Sequence, residues 1–544
     1  MDRCDFLDLN VAISGRAGDG IKEAGAILAK LFATLGYRVF VYQEYQSLIR
    51  GGYNISAVRI SSKKIHSHRF YFDFAVCLED YTYEIIRERI RGPVVHDDRF
   101  KCDASQSLGI LVSRFIKEES ARNTLKNAVT TGAMAFLFGL SFDIVSELMK
   151  RLFGEKSAID IRLARKGYDY AKRYEPFMNI EKTGEKKPVL SGNEMIALGM
   201  SKAGLKTYFA YPMTPTSPIL HFLASKPIGV KTFQPESEIA AIMMAIGSAF
   251  AGMRSAVGTS GGGLALMSES ISLSAMSETP VLIVEGQRSA PSTGMATFTA
   301  QEDLEFALNP AHGEFPLIVA SPCSVEDSYY LSGELLNLAW EFQTPAILLT
   351  DKHLVESYET VEVDFERVNE SQINYYQQSD SYCSVVKRYE LTDSGISKIA
   401  FPPELVKGNS NEHDEYGFTT DSPEIATSMY SKRMRKEKKI REKVKNLDPY
   451  FIFGEGKETV ITWGSTFGAV IEPALELGFR VIVFRYLRPL VVPEIDGRVI
   501  SVECNYSGLL AKRIENEVGI KIERITRVDG RPFTPEEIRK RLER

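Results

Sequence analysis

Short apolar runs alternate along the chain with stretches whose apolar residues recur every three or four positions, which predicts strands and helices in turn. The run from Asn10 to Ser14 predicts a buried strand. Behind it Ile21, Ala24, Ile27, Leu28, Leu31, Phe32 and Leu35 share one helical face, and Gly36 is placed to cap that helix. Gly15, Gly18 and Gly20 fall between strand and helix, so the backbone can turn tightly there, and the whole opens a β-α-β unit. "YRVFVYQEYQSLIRGGYNISAVRIS" and "FDFAVCLED" continue the block as strands and loops to residue 180. The charged stretch "EKTGEKKP" from Glu181 then reads as a surface linker.

From Pro188 a second block predicts helix "GNEMIALGMSKAGL", strand "TYFAYP", helix "SEIAAIMMAIGSAFAG", and strands "SAVGTSGGG", "PVLIVEG" and "TPAILLTD". Such alternation implies a parallel sheet covered on both faces. A polar, tyrosine-rich segment over 372–425 and a charged helix, "SKRMRKEKKIREKVKN", follow; the helix reads as solvated or docked. "TVITWGSTFGAVIEPALELGFRVIVFRY" and "GRVISVECNYSGLLAKRI" make a third α/β unit. The expected organisation is three α/β domains with mainly parallel sheets: 1–180, a linker at 181–190, 191–370, a connecting segment at 371–450, and 451–544.

Composition narrows the classes. A chain of 544 residues, 44% hydrophobic and 25% charged, is ordinary globular usage, and a net charge of -5 argues against a general nucleic-acid binder. "MDRCDFLDLN" carries no apolar signal core and "AAIMMAIGSAFAGM" is too short to span a bilayer, so a cytoplasmic protein is expected. Cys4, Cys77, Cys102, Cys323, Cys383 and Cys504 are scattered without a C-x-x-C pair, which predicts free thiols and places any iron–sulfur cluster on another chain.

Gly18-Asp19-Gly20 invites two chemical readings. A Mg²⁺–diphosphate loop needs a partner Asn ending a strand two to three dozen residues on, and the next Asn here, Asn54, is farther and follows glycines. A dinucleotide turn needs Gly-x-Gly-x-x-Gly, whereas the spacing is Gly-x-x-Gly-x-Gly. A structural turn, a partner-facing loop and a ligand site stay open. His413 stands among Glu412, Asp414 and Glu415, yet adjacent loop residues rarely converge on one ion, so a hydrogen-bonding or interface role is expected. His66 and His68 alternate along a predicted strand but lack a third ligand, and no metal site is assigned to the chain.

Several motifs then occur in an informative order. "YPMTPTSPI" (211–219), "FQPESEIAAIMMAIGSAFAG", "GTSGGG" and "GQRSAPSTG" resemble the 2-oxoacid:ferredoxin oxidoreductases; "NEHDEYGFTTDSP" with "KRMRK" resembles the segment joining that family's α-subunit domains. "GSTFGAV", "ECNYSGLLAKRI" and "GRPFTPEEI" are similar to its transketolase-C-like domain, and "GRAGDGIKEAG" with "EYQSLIRGGYN" to its γ domain fused in front. The resemblance covers nearly the whole chain. Ala17 and Asp19 stand where the family usually has Gly and Gln, and Gly262 where it usually has Pro.

The resemblance implies a fused γ/α subunit. A separate β subunit would carry thiamine diphosphate with its Mg²⁺ and a [4Fe-4S] cluster, in a heterodimer or a dimer of heterodimers. Together they would decarboxylate a 2-oxoacid such as pyruvate or 2-oxoglutarate, pass electrons to ferredoxin and transfer the acyl group to coenzyme A, with no nucleic-acid or membrane partner. Gly18-Asp19-Gly20 would then be a γ-domain turn. The alternatives are an arylpyruvate-type (indolepyruvate) relative or a non-catalytic scaffold subunit.

Residue by residue, Glu238 matches the family's acid for the thiamine aminopyrimidine N1′, where a carboxylate favours the imino tautomer that activates the thiazolium. Glu236 is the reserve; both lie near a helix N-terminus that favours negative charge. Tyr211, Pro212, Thr259 and Ser260 are the further cofactor contacts implied. Thr214 and Arg288 are the substrate-side candidates: a hydroxyl donor, also read as the N-cap of a helix beginning near Pro215, and a planar fork suited to a carboxylate at the C-terminal end of a strand.

Overall fold

The computed structural model describes residues 6–48, 51–376 and 384–544. Cys4, Cys383, and Ile49 and Arg50 of the "EYQSLIRGGYN" motif lie outside the described residues. Three sheets, of eight, seven and five strands, organise the chain, and most strand pairs are parallel.

The eight-stranded sheet is the most mixed, with four antiparallel pairs against one in each of the other two. Its central strand, Asp8–Ala17, runs antiparallel to Gly51–Ser61 and parallel to Phe74–Cys77. Helix Ile21–Thr34 covers it, and Gly36 beyond the helix takes φ 96°, the left-handed geometry expected of a helix-ending glycine. The expected β-α-β unit is modified. Strand Arg38–Tyr45 is antiparallel to Gly51–Ser61, so that strand is inserted between the two limbs of the crossover. The connection between Tyr45 and Gly51 is too short for a crossover and forces a hairpin. On the outer side, helices Lys126–Leu137 and Ser157–Ala171 touch backbone to backbone at Gly132 and Gly167, where a Cβ would collide with Ala164 and Val129.

The far edge of this sheet is built from the second block. Tyr358–Thr360 pairs with Arg38–Tyr45 and with Val189–Ser191. The linker thus runs straight into a strand, and Ser191 at its end makes a capping box with Glu194 for helix Gly192–Lys202.

The seven-stranded sheet follows the expected pattern: Thr207–Ala210, Ser255–Thr259, Val281–Gln287 and Pro345–Asp351 are consecutive parallel neighbours. Two details differ from the sequence reading. "SAVGTSGGG" is a strand only as far as Thr259, and its glycines open helix Gly261–Leu266. Helix Val325–Phe342, 18 residues long and largely buried, was not foreseen. The C-terminal unit has its own five-stranded sheet but lends Tyr486–Arg488 to the edge of the second sheet, antiparallel to Ile318–Ala320.

The charged helix, Pro423–Val444, is docked. Lys432 and Lys436 are buried and both reach the buried Glu278, at 2.6 and 2.5 Å. Burial alone would raise the Glu278 carboxyl, and the two ammonium groups overcome it and hold it well below its ordinary range. Cys77, Cys323 and Cys504 are buried free thiols and Cys102 is partly buried. Among the described residues, no helix is long and apolar enough to cross a membrane.

Candidate active site

Parallel strands place the sequence-singled residues at one edge. Tyr211 and Pro212 follow Thr207–Ala210, Thr259 and Ser260 end Ser255–Thr259, and Arg288 follows Val281–Gln287. Because these three strands are adjacent and parallel, their C-terminal ends converge, the usual place for a ligand in an α/β sheet.

Glu238 and Glu236 part company here. Glu236 is exposed, whereas Glu238 is the first residue of helix Glu238–Phe250 and 6% exposed. Ser237 caps the helix by accepting from the Ala240 N–H at 3.2 Å, which fixes where Glu238 points. That direction is toward Gly263: a Cβ there would sit 3.1 Å from Glu238 Oε1 and collide with Thr259 Oγ1. The glycine keeps a carboxylate and a hydroxyl side by side, and no described residue donates a hydrogen bond to that carboxylate. An acid left without a partner at a strand-end cleft fits a nitrogen of a bound cofactor.

Thr214 is not the N-cap expected of it. The helix starts at Ser217 after Thr216, whose hydroxyl donates to the Thr259 carbonyl at 3.1 Å. Thr214 instead offers its backbone carbonyl to Arg288 Nη1 at 3.4 Å, which joins the two substrate-side candidates. Ser260 is buried at the start of helix Gly261–Leu266, and its Oγ finds no partner among the described residues.

Arg288 opens onto a cleft of about 520 Å³ lined also by Gly261, Gly262, Pro291, Glu302, Asp303 and Phe306. Burial pulls the guanidinium below its ordinary range and Asp303 opposes this, yet no acid lies within ion-pair distance of Arg288 among the described residues. A partly desolvated cation with one long hydrogen bond is poised for an anion from outside. The loop that carries it is held from every side. Ala290 N–H donates to Glu302 at 2.7 Å, and the Thr297 hydroxyl donates to the Tyr45 carbonyl of the first sheet at 2.7 Å. Gln301 donates to the Trp463 carbonyl at 2.8 Å and accepts from Cys504 N–H at 2.9 Å in the C-terminal unit.

Glu285 and Asp303 belong to this floor and were not singled out from the sequence. Glu285 is fully buried, directly beside Thr259 in the parallel register, and neither of its carboxyl oxygens meets a donor among the described residues. Burial, and then Asp303, push it well above the ordinary carboxylate range; burial raises Asp303 also. A Glu at the end of the otherwise apolar "PVLIVEG" was the available signal for the first; nothing local marked the second.

The remaining candidates are spoken for. Asp19, 1% exposed, pairs with the buried Lys126 at 3.0 Å and accepts from Arg16 N–H at 3.1 Å, while Thr124 and Asn127 pack over Gly20. His66 binds Glu359 at 2.7 Å, and His68 stacks on Tyr42 with ring centroids 4.4 Å apart. His413 bonds the Asn411 carbonyl through Nδ1 at 2.9 Å and packs on Tyr389.

Comparison with known proteins bears on the family and the fold. Residues 198–432, which contain Tyr211, Glu238, Thr259 and Arg288, match the family described as pyruvate flavodoxin/ferredoxin oxidoreductase, thiamine diphosphate-binding, and residues 10–170 match pyruvate ferredoxin/flavodoxin oxidoreductase. The chain is 27% identical to the α subunit of 2-oxoacid:ferredoxin oxidoreductase 2 of Aeropyrum pernix, covering 97% of this chain and 96% of that one. It is 29% identical to a Sulfolobus sp 2-oxoacid:ferredoxin oxidoreductase α subunit, over 98% and 96%. A solved 2-oxoglutarate:ferredoxin oxidoreductase from Magnetococcus marinus, with 2-oxoglutarate, coenzyme A and succinyl-CoA bound, superposes with a TM-score of 0.88 at 32% identity, over 98% of this chain and 99% of that one. Fold, motif order and strand-end site therefore lead to one assignment: this chain belongs to the 2-oxoacid:ferredoxin oxidoreductase family, as an α subunit.

Proposed function

We propose that this chain forms one wall of a thiamine diphosphate site whose other wall belongs to a separate β subunit. The assembled enzyme would convert a 2-oxoacid and coenzyme A to acyl-CoA and CO2, passing two electrons through a [4Fe-4S] cluster on the β subunit to ferredoxin. The observation that carries this reading is the pairing of a buried, partnerless acid with an uncovered apolar face. Around Glu238, the side chains of Ile239, Met243, Met244 and, on the adjoining helix, Leu266 are 42 to 53% exposed. Contiguous exposed aliphatic and Met side chains beside a reactive acid favour a partner subunit over open water.

Thiamine diphosphate, when bound, supplies the electron sink for decarboxylation. The Glu238 carboxylate holds a proton at the pyrimidine N1′, with Thr259, Ser260, Tyr211 and Pro212 shaping the pocket for that ring. Arg288 binds the substrate carboxylate, and the Thr214 hydroxyl donates to the carboxylate or keto oxygen. Mg²⁺ and the diphosphate fall to the β subunit, because Asp19 is already engaged by Lys126. The three sheets correspond in this reading to a γ-type domain, a pyrimidine-binding domain and a transketolase-C-like domain. The solved relative makes 2-oxoglutarate the first 2-oxoacid to test.

The test is reconstitution. The chain is produced with a β-type chain carrying Gly-Asp-Gly…Asn and cluster cysteines, and viologen reduction is followed with 2-oxoglutarate, pyruvate and an arylpyruvate, each with and without coenzyme A. Reduction that requires both a 2-oxoacid and coenzyme A is expected; no reduction with any 2-oxoacid would return the chain to a scaffold role.

A further inference from the structure

Glu285 sits where an ionised carboxylate is hardest to sustain. It is 0% exposed inside the second sheet, and neither oxygen meets a donor among the described residues. Another acid, Asp303, has its carboxyl within hydrogen-bonding reach of it. Asp303 is held over the start of helix Gly261–Leu266, where a Cβ on Gly261 would collide with it, and it lines the same cleft as Arg288. Asp303 N–H is itself fixed by Gln287 Oε1 at 3.1 Å, and Gln287 by the Thr350 carbonyl at 3.2 Å. The other charged groups facing the pair are Glu302 and Arg288, both on the cleft wall.

Two carboxyls in contact, one fully buried and the other half-buried at the cleft wall, cannot both ionise cheaply, because repulsion adds to desolvation; a shared proton satisfies both, with one O–H donating to the other's oxygen. We propose that Glu285 and Asp303 hold a single proton between them beneath Arg288, acting as a positioning and specificity-determining pair. The proton resides on Glu285 and its O–H donates to Asp303. The pair then carries one negative charge instead of two. That one charge faces Arg288 without neutralising it, which leaves the guanidinium free to take a substrate carboxylate. A second charge, added to Glu302, would repel any anionic substrate from the cleft. Binding of a 2-oxoacid is thereby linked to retention of this proton.

The linkage rests on the reading of Arg288 as the substrate's partner; the shared proton does not, and the experiment separates them. Infrared spectra of the full chain at neutral pH, without substrate, should show a protonated-carboxyl stretch that shifts in D2O, disappears in Glu285→Gln and shifts in Asp303→Asn. In the reconstituted enzyme, the apparent KM for the 2-oxoacid should climb by about tenfold per pH unit once the pair loses its proton, with kcat changing far less. Glu285→Gln, whose charge is fixed, should lose that climb. A wild-type chain without such a band, or a band unmoved by both substitutions, overturns the shared proton. A correct band with a KM that climbs identically in wild type and Glu285→Gln overturns the specificity role. A KM indifferent to Arg288→Ala overturns only the assignment of Arg288.

Discussion

Two glycine-rich strand-to-helix turns occur in this chain, one at Gly15–Gly20 and one at Gly258–Gly263, and they have opposite fates. In each, a strand end meets a helix start and glycines admit close neighbours. In the first the neighbours belong to the chain: Lys126 takes the Asp19 carboxylate, and Thr124 and Asn127 close over Gly20. In the second no described donor takes the Glu238 carboxylate, and Asp303 has only another acid, Glu285, for a partner. Glu238 lies against Gly263 and Asp303 against Gly261, Gly262 faces open space, and Arg288 stands nearby with no ion pair among the described residues. Glycine spacing marks where backbone comes close to something. Whether that something is a ligand depends on which charges the fold has already paired.

The comparison can be broken at the closed turn first, where the largest effect on stability is expected. Lys126→Met would leave Asp19 buried and uncompensated, since both are at most 3% exposed, and should cost about 3 to 5 kcal/mol of stability by denaturant titration. A loss below about 1 kcal/mol would mean the turn is not held by this pair.

At the open turn, Arg288→Ala should lower kcat/KM by roughly 2 to 4 kcal/mol equivalent, as for truncating one partner of a desolvated charge pair. Arg288→Lys should recover part of that, because a point charge replaces the fork. A penalty larger for 2-oxoglutarate than for pyruvate would place Arg288 at the distal carboxylate, and equal penalties at the shared one. Glu238→Gln should slow thiamine C2 proton exchange in the assembled enzyme by on the order of 10²-fold or more, with Glu236→Gln nearly silent. The reverse pattern would move the role to Glu236.

The smallest effect should be at Gly262. No atom lies within 4 Å of a Cβ built there, so Gly262→Ala should change stability by less than about 0.5 kcal/mol, whereas Gly263→Ala must displace Thr259 or Glu238. Thermal melts of the two variants side by side would show whether the cleft is open at Gly262.

What was legible in the sequence followed periodicity and motif. Helices Ile21–Thr34 and Glu238–Phe250 follow their apolar spacing, and Glu238, Thr259 and Arg288 came from motifs whose order survives in the sheet. Other features depend on tertiary structure. Strands Val189–Ser191 and Tyr358–Thr360 are three residues each, too short for any period to register, and exist because Arg38–Tyr45 offers an edge. Helix Pro423–Val444 looks solvated in sequence because the carboxylate that buries Lys432 and Lys436 is Glu278, more than a hundred residues earlier. Asp303 gains its meaning only from Glu285 beneath it, on a different element.

The central claim is that the unpaired acid and apolar face around Glu238 are half of a site. Its most direct test is to measure iron content and thiamine diphosphate binding by calorimetry for the purified chain, alone and after mixing with the β-type chain. We expect the chain alone to hold no iron–sulfur cluster and to bind the cofactor weakly, and both to appear on mixing, with the cofactor gain diminished in Glu238→Gln. Stoichiometric iron and tight thiamine diphosphate binding in the single chain would contradict the account.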